Sequence, residues 1–205
     1  MLLQNTQDPF GTAMSERPKV IDRRLAARTG IFEVEEVDLL FANGARRRFE
    51  RIRGGPGSVL IVPVRGDGTL LLTREYAAGT DRYEVGFPRG LIDPGEDPFQ
   101  AANRELQEEV GFAAGRLDLL RTVSIAPGYI EHRTHILLAR ELRQRTAEGD
   151  EPEPIEVLSW PLEDVDGLLA MADFSEARSA LAVFLVLRFL GGAPGTAALD
   201  RCSEV

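Results

Sequence analysis

Apolar residues follow two different spacings along this chain. Phe99, Ala102, Leu106 and Val110 recur every three or four residues, which is the period of a helix with one buried face. Asp97 is placed to cap that helix, Pro98 suits its first position and Gly111 stops it. Residues 59–64 are instead an almost unbroken apolar run, as in a strand buried on both faces. Residues 31–39 alternate roughly as a strand, and residues 45–52 return as its partner. Between them Asn43-Gly44 predicts a type I′ turn, whose two central residues both need positive φ. Further strands are expected over 70–76, 117–125, 134–142 and 155–160, with a short segment over 83–87 leading toward the helix and an acidic, proline-broken loop over 148–154. Two helices are expected over 162–172 and 175–190, the second opened by a capping box of Asp173 and Glu176. Strands before, between and after helices predict mixed α/β (α+β) layers, not a regular βαβ array.

Residues 1–17 are polar and aperiodic and read as a disordered N-terminal tail, and residues 191–205 read as a C-terminal tail. A chain of 205 residues with 43% hydrophobic residues suffices for one core, placed at residues 18–190 with an N-terminal hairpin over 31–53. The net charge of −9 argues against binding to a nucleic-acid backbone. It also requires that any anionic substrate meet local cations. The single cysteine, Cys202, excludes a disulfide framework and a cysteine-rich zinc site. No apolar run reaches the roughly 18 residues of a membrane span, and the start lacks the order of a secretion signal. A soluble cytoplasmic protein is expected.

On the central helix Glu105 and Glu109 lie about 40° apart beside the apolar stripe, with Glu108 further round. Like charges so placed repel by a few tenths of a kcal/mol. They form either a solvated acidic face or a pair that shares a divalent cation. Upstream, Arg46, Arg47, Arg48, Arg51 and Arg53 crowd one strand. They serve either as a charge-protected edge or as guanidinium donors to a pyrophosphate.

For the glutamates, residues 90–112 favour the shared cation, while both readings of the arginines stay open. Gly90, Glu96 and then Arg104-Glu105-Leu106-Gln107-Glu108-Glu109-Val110-Gly111-Phe112 resemble a complete Nudix box, with no defined position missing. The resemblance implies a mixed β-sheet sandwiched between helices and a Mg²⁺-dependent hydrolase of phosphoanhydrides, with Mn²⁺ as a substitute. It implies metal ligation by Glu105, Glu109, Glu108 and the backbone carbonyl of Arg89, and a salt bridge between Glu96 and Arg104. Beyond the box, VDLLFANGARRRFERI, REYAAGTDRYEVGF, SIAPGYI, GDEPEPIEVLSWPL and DFSEARSALAVFLV resemble the ADP-ribose pyrophosphatase branch. Within that branch they are most similar to the ADP compounds hydrolases of the NudE type. Pro127, 15 residues beyond Phe112, resembles the proline of ADP-ribose enzymes, and Tyr129 resembles the tyrosine of diadenosine polyphosphate hydrolases.

The substrates so implied are small nucleotides (ADP-ribose, NADH and diadenosine polyphosphates), with release of AMP. Two departures qualify the match. Arg74-Glu75-Tyr76-Ala77 stands where many relatives read Arg-Gln-Tyr-Arg, so Arg51, Arg74 and Arg82 are the candidates for the missing phosphate-binding arginine. Where some relatives carry a catalytic glutamate this chain has His132, with Glu131 one residue earlier. Glu131, His132 and Glu108 are therefore the candidate bases. Phe32, Tyr83 and Tyr129 are candidates to line a slot for the substrate's rings. The resemblance also implies a homodimer through the N-terminal hairpin. Rival readings are a nucleotide sensor that does not cut, and a pyrophosphohydrolase of nucleoside triphosphates or capped RNA.

Overall fold

The computed structural model describes residues 16–149 and 152–192. The expectations for residues 1–15 and 193–205, and for the centre of the acidic loop, fall outside the described residues. The chain divides into two compact units. The first is Met1–Arg53 with Gly128–Glu131, and the second is Gly54–Pro127 with His132–Val205.

The first unit is an antiparallel sheet in the order β1 (Lys19–Arg28), β2 (Glu33–Leu40), β3 (Arg46–Ile52). Strand β1 carries no hydrophobic alternation and is exposed along its whole length, so periodicity does not reveal it. Its pairing with β2 creates it. The type I′ turn expected at Asn43-Gly44 is not formed, because Gly44 has φ of 81° while Asn43 stays at negative φ. The Asn43 carboxamide instead accepts the Ala45 N–H at 3.0 Å, and a turn closes from the Gly44 N–H to Phe41 O. Two of the four β3 arginines, and Arg53 just beyond the strand, pair with acids of β2. Arg48 bonds Asp38 twice at 2.7 Å, Arg51 bonds Glu35 at 2.9 Å and Arg53 bonds Glu33 at 3.1 Å.

In the second unit β4 (Ser58–Pro63) sits inside a four-stranded sheet in the order β7-β4-β9-β8. Here β7 is Arg89–Leu91, β8 is Phe112–Val123 and β9 is Thr134–Gln144. The β4–β9 pair is parallel and its neighbours are antiparallel. A second sheet has the order β10-β5-β6, with β5 at Thr69–Ala77, β6 at Arg82–Gly86 and β10 at Glu156–Pro161. Side chains on a strand alternate between faces, and this alternation sorts β4 and β9 into two cores. Val59, Ile61, Leu137 and Ala139 pack with Ala101, Ala102, Leu106 and Val110 of the box helix. Leu60, Val62, Ile136 and Leu138 pack with Leu168, Ala182, Val183 and Val186, which belong to α2 (Val165–Ala170) and α3 (Ala177–Leu190). The expected sheet between helices is found.

Three local readings change. Phe99 is 39% exposed, and Ala101 takes its place in the buried stripe. The helix expected from residue 162 starts at Val165 after a 3₁₀ turn, because the Asp164 carboxylate caps it through the Gly167 N–H. Glu176, not Asp173, caps α3, accepting from the N–H groups of Arg178 and Ser179, while the Asp173 carboxylate is taken by Arg74. Among the described residues no helix is long and apolar enough to cross a membrane.

Candidate active site

The box helix starts as its sequence dictates. Asp97 accepts from the N–H groups of Phe99 and Gln100, the Gln100 side chain answers the Asp97 N–H, and Pro98 opens the helix. It does not end as an α-helix. α1 (Pro98–Glu105) passes into a π-helical turn over Leu106–Val110, closed by Gly111 at φ of 76°. Such wide turns recur at functional sites. Here Glu105 stands at the start of the turn and Glu109 within it, and both are turned inward: Glu105 is 8% exposed and Glu109 5%.

Burying carboxylates is costly unless something answers their charge, and this protein answers each of them differently. Arg104 grips Glu96 through two hydrogen bonds of 2.9 Å, reaches Glu105 at 2.7 Å and Glu108 at 3.0 Å, and donates to the Leu91 carbonyl. The expected link between loop and helix is thus present, and it extends to two further glutamates. Among the described residues, the hydrogen bond to Glu109 comes from the backbone N–H of Arg89, at 3.2 Å. Its carboxyl is pushed up to about 9 by burial first, then by the charges of Glu75 and Glu105, with the Arg89 N–H and guanidinium pulling the other way. A Cβ on Gly90 would overlap the Glu105 carboxylate. Glycine is therefore needed there to let that side chain lie against β7.

The remaining candidates form separate groups. Arg51, Tyr129 and Glu131 come together in the first unit. The Ile52 N–H bonds the Tyr129 carbonyl, the Glu131 N–H bonds the Ile52 carbonyl, and Arg51 lies 3.6 Å from the Glu131 carboxylate. In the second unit Arg74 pairs with Asp173 and Glu156. Arg82 pairs with Glu84 and bonds Ser175 and the Ala172 carbonyl. Pro127 is exposed. His132 is held through Nε2 by the Ser58 hydroxyl at 2.9 Å. A cavity of about 420 Å³ is lined by Arg74, Glu75, Tyr76, Tyr83, Pro154 and Ile155 among others. In it the two tyrosine rings meet edge to face at 5.7 Å.

Residues 55–182 match the NUDIX domain model, and residues 18–51 match the model of the NudE-type Nudix hydrolase N-terminal domain. The chain belongs to the Nudix hydrolases. This Nudix hydrolase is 48% identical over 178 residues to the ADP compounds hydrolase NudE of Escherichia coli (strain K12), covering 86% of this chain and 95% of that one. It is 29% identical over 172 residues to an ADP-ribose pyrophosphatase of Bacillus subtilis (strain 168), covering 80% and 92%. A crystal structure of an ADP compounds hydrolase superposes with a TM-score of 0.83 at 46% identity, over 90% of this chain and 100% of that one.

Two residues of the site escape sequence reasoning: Glu75, and the side chain of Arg89. The Arg89 guanidinium donates to Glu75 at 3.2 Å while its backbone N–H serves Glu109. Period-two alternation along β5 was the available signal, since it turns Glu75 to the opposite face from Arg74.

The donor set fits a divalent cation of the magnesium kind. Among the described residues no three acidic or imidazole side chains form a ready-made cage. Mg²⁺ takes one or two carboxylates and leaves its other positions to water and substrate phosphates. The Glu109 carboxyl, raised by its neighbours' charges, is the group that such a cation would relieve.

Proposed function

We propose that this Nudix hydrolase cleaves the diphosphate of ADP-containing compounds (ADP-ribose, NADH and diadenosine polyphosphates), releasing AMP, with Mg²⁺ as cofactor and Mn²⁺ as a substitute. The observation that carries this reading is the buried pair of Glu105, lying against Gly90, and Glu109, held by the Arg89 N–H, in a chain 48% identical to an ADP compounds hydrolase. Glu105, Glu109 and the backbone carbonyl of Arg89 would hold the cation, with Glu108 as a further or water-mediated ligand. Bound there, Mg²⁺ supplies positive charge to the phosphate oxygens and acidity to a water.

The protein's own contribution is placement. Glu96 fixes Arg104, and Arg104 fixes Glu105 and Glu108, so these carboxylates need no reorganisation when substrate arrives. Gly90 leaves the room that the Glu105 carboxylate occupies. Burial keeps water away from Glu105 and Glu109, which strengthens every charge interaction they make. Glu131 and Glu108 are the residues put forward to take the proton of the attacking water. Glu131→Gln and Glu108→Gln decide between them, the true base being the one whose loss flattens the acid limb of the pH–rate profile. The cavity with Tyr76 and Tyr83 offers flat, half-exposed rings to a base or nicotinamide.

We also infer a homodimer formed through the N-terminal hairpin. The first unit exposes Val20, Ile21, Leu25, Ile31, Phe32 and Phe49, an amount of apolar surface that a second copy would cover. Light scattering on the full chain checks this, and a monomeric mass contradicts it. The substrate reading is tested by comparing ADP-ribose, NADH, diadenosine triphosphate and GTP side by side with each metal. Faster turnover of the ADP compounds supports it, and a clear preference for GTP overturns it.

A further inference from the structure

An acidic site that accepts an acidic substrate needs a basic side chain at the point of contact, and two of the arginines singled out in the sequence are already engaged within their own unit. Arg74 is committed to Asp173 and Glu156, and Arg82 to Glu84 and Ser175. Arg104 is consumed by Glu96, Glu105 and Glu108. Arg89 is placed differently. Its backbone is pinned in β7 opposite Leu60, and its N–H bonds Glu109. Its guanidinium returns over β6, where a Cβ on Gly86 would come within 2.9 Å of Nη1. Glycine at position 86 therefore leaves the slot in which the guanidinium lies. Glu75 accepts from it at 3.2 Å, and a guanidinium presents five N–H donors in a fork that matches paired phosphate oxygens. The group is partly open, with 27% of the side chain exposed, and its charge is felt at Glu109.

We propose that the Arg89 side chain, seated on Gly86 and held by Glu75, is the substrate-binding arginine of this site and takes the diphosphate of the nucleotide. Arg89 would thus act twice, with its backbone at the carboxylates and its side chain on the substrate. Glu75 is a positioning residue that acts through it. The inference rests on the ADP-compound reading above.

The test uses the full chain and α,β-methylene ADP-ribose, a probe whose bridging carbon cannot be hydrolysed. Probe affinity is measured by calorimetry, Mn²⁺ affinity by electron paramagnetic resonance, and KM and kcat for ADP-ribose in parallel. Arg89→Met is expected to weaken the probe at least tenfold and to raise KM by a similar factor, with Mn²⁺ affinity changed far less than probe affinity. Arg89→Lys keeps the charge but not the fork, and is expected to recover part of the loss. It also serves as the informative variant if Arg89→Met does not fold, in which case unchanged probe affinity overturns the proposal. Glu75→Gln should raise KM several-fold in the wild-type background and add nothing in the Arg89→Met background. Wild-type probe affinity in Arg89→Met, or loss of Mn²⁺ and probe binding in equal measure, overturns the proposal. Wild-type protein that neither binds the probe nor cleaves ADP-ribose refutes the ADP-compound reading instead.

Discussion

Glu109 should lose a proton when the cation binds. Its carboxyl lies at about 9 in the metal-free protein because burial, Glu75 and Glu105 all oppose its charge. At pH 7 it is therefore two units below its midpoint, and only roughly 1% of molecules carry the anion that a metal ligates. Removing the proton opposes binding by about 2.7 kcal/mol at roughly 1.36 kcal/mol per unit, a factor of about 100 in affinity. The apparent affinity for Mg²⁺ or Mn²⁺ should rise about tenfold per pH unit from pH 7 and level off near pH 9. Titration calorimetry in two buffers of different ionisation enthalpy measures the proton released at pH 7, and the expected value is close to one. Glu109→Gln should release none. A heat of binding independent of the buffer, or an affinity flat from pH 6.5 to 8.5, would refute the reasoning.

Other outcomes follow from the same geometry. Glu109 is raised from 4.5, so the native state holds the proton that the unfolded chain gives up. Stability of the metal-free protein accordingly falls as pH rises above about 4.5, until about 9. Glu109→Gln should thus melt higher than wild type at pH 8 without metal, while its turnover drops by at least about two orders of magnitude (~3 kcal/mol of barrier). Gly90→Ala forces the Glu105 carboxylate aside, which is the movable end of a side chain. Thermal melting should change little while turnover falls at least tenfold. Arg104→Met strips the charged hydrogen bonds from Glu96, Glu105 and Glu108 and should destabilise by on the order of 2 kcal/mol, measured by urea unfolding. An unchanged midpoint would show that Arg104 is not their anchor.

The parts of this fold legible in the sequence are those decided by local chemistry. The Asp97-Pro98-Gln100 start, the Gly111 stop and the apolar β4 run each state their structure within a few residues. The parts that were not legible depend on partners distant in sequence. β1 is a strand because β2 lies beside it; the Asn43-Gly44 turn is the local exception, departing from type I′ because the Asn43 side chain takes the Ala45 N–H two residues on. The inward turn of Glu105 and Glu109 follows from helical spacing, but the π turn between them does not. Period-two alternation along β5 set Glu75 apart from Arg74, but the departure read in that stretch was the arginine absent at Ala77 and not the glutamate. Its meaning required the return of Arg89 across Gly86, a contact spanning 14 positions of the chain.

The central claim is that Glu105 and Glu109 hold a divalent cation against the substrate's diphosphate. The most direct measurement is the anomalous signal of Mn²⁺ in crystals grown with α,β-methylene ADP-ribose. The account predicts a peak about 2.0–2.3 Å from carboxylate oxygens of both residues, shared with an oxygen of the diphosphate. A fully bound nucleotide with its metal elsewhere, and these two carboxylates still turned to Arg104 and the Arg89 N–H alone, would contradict it.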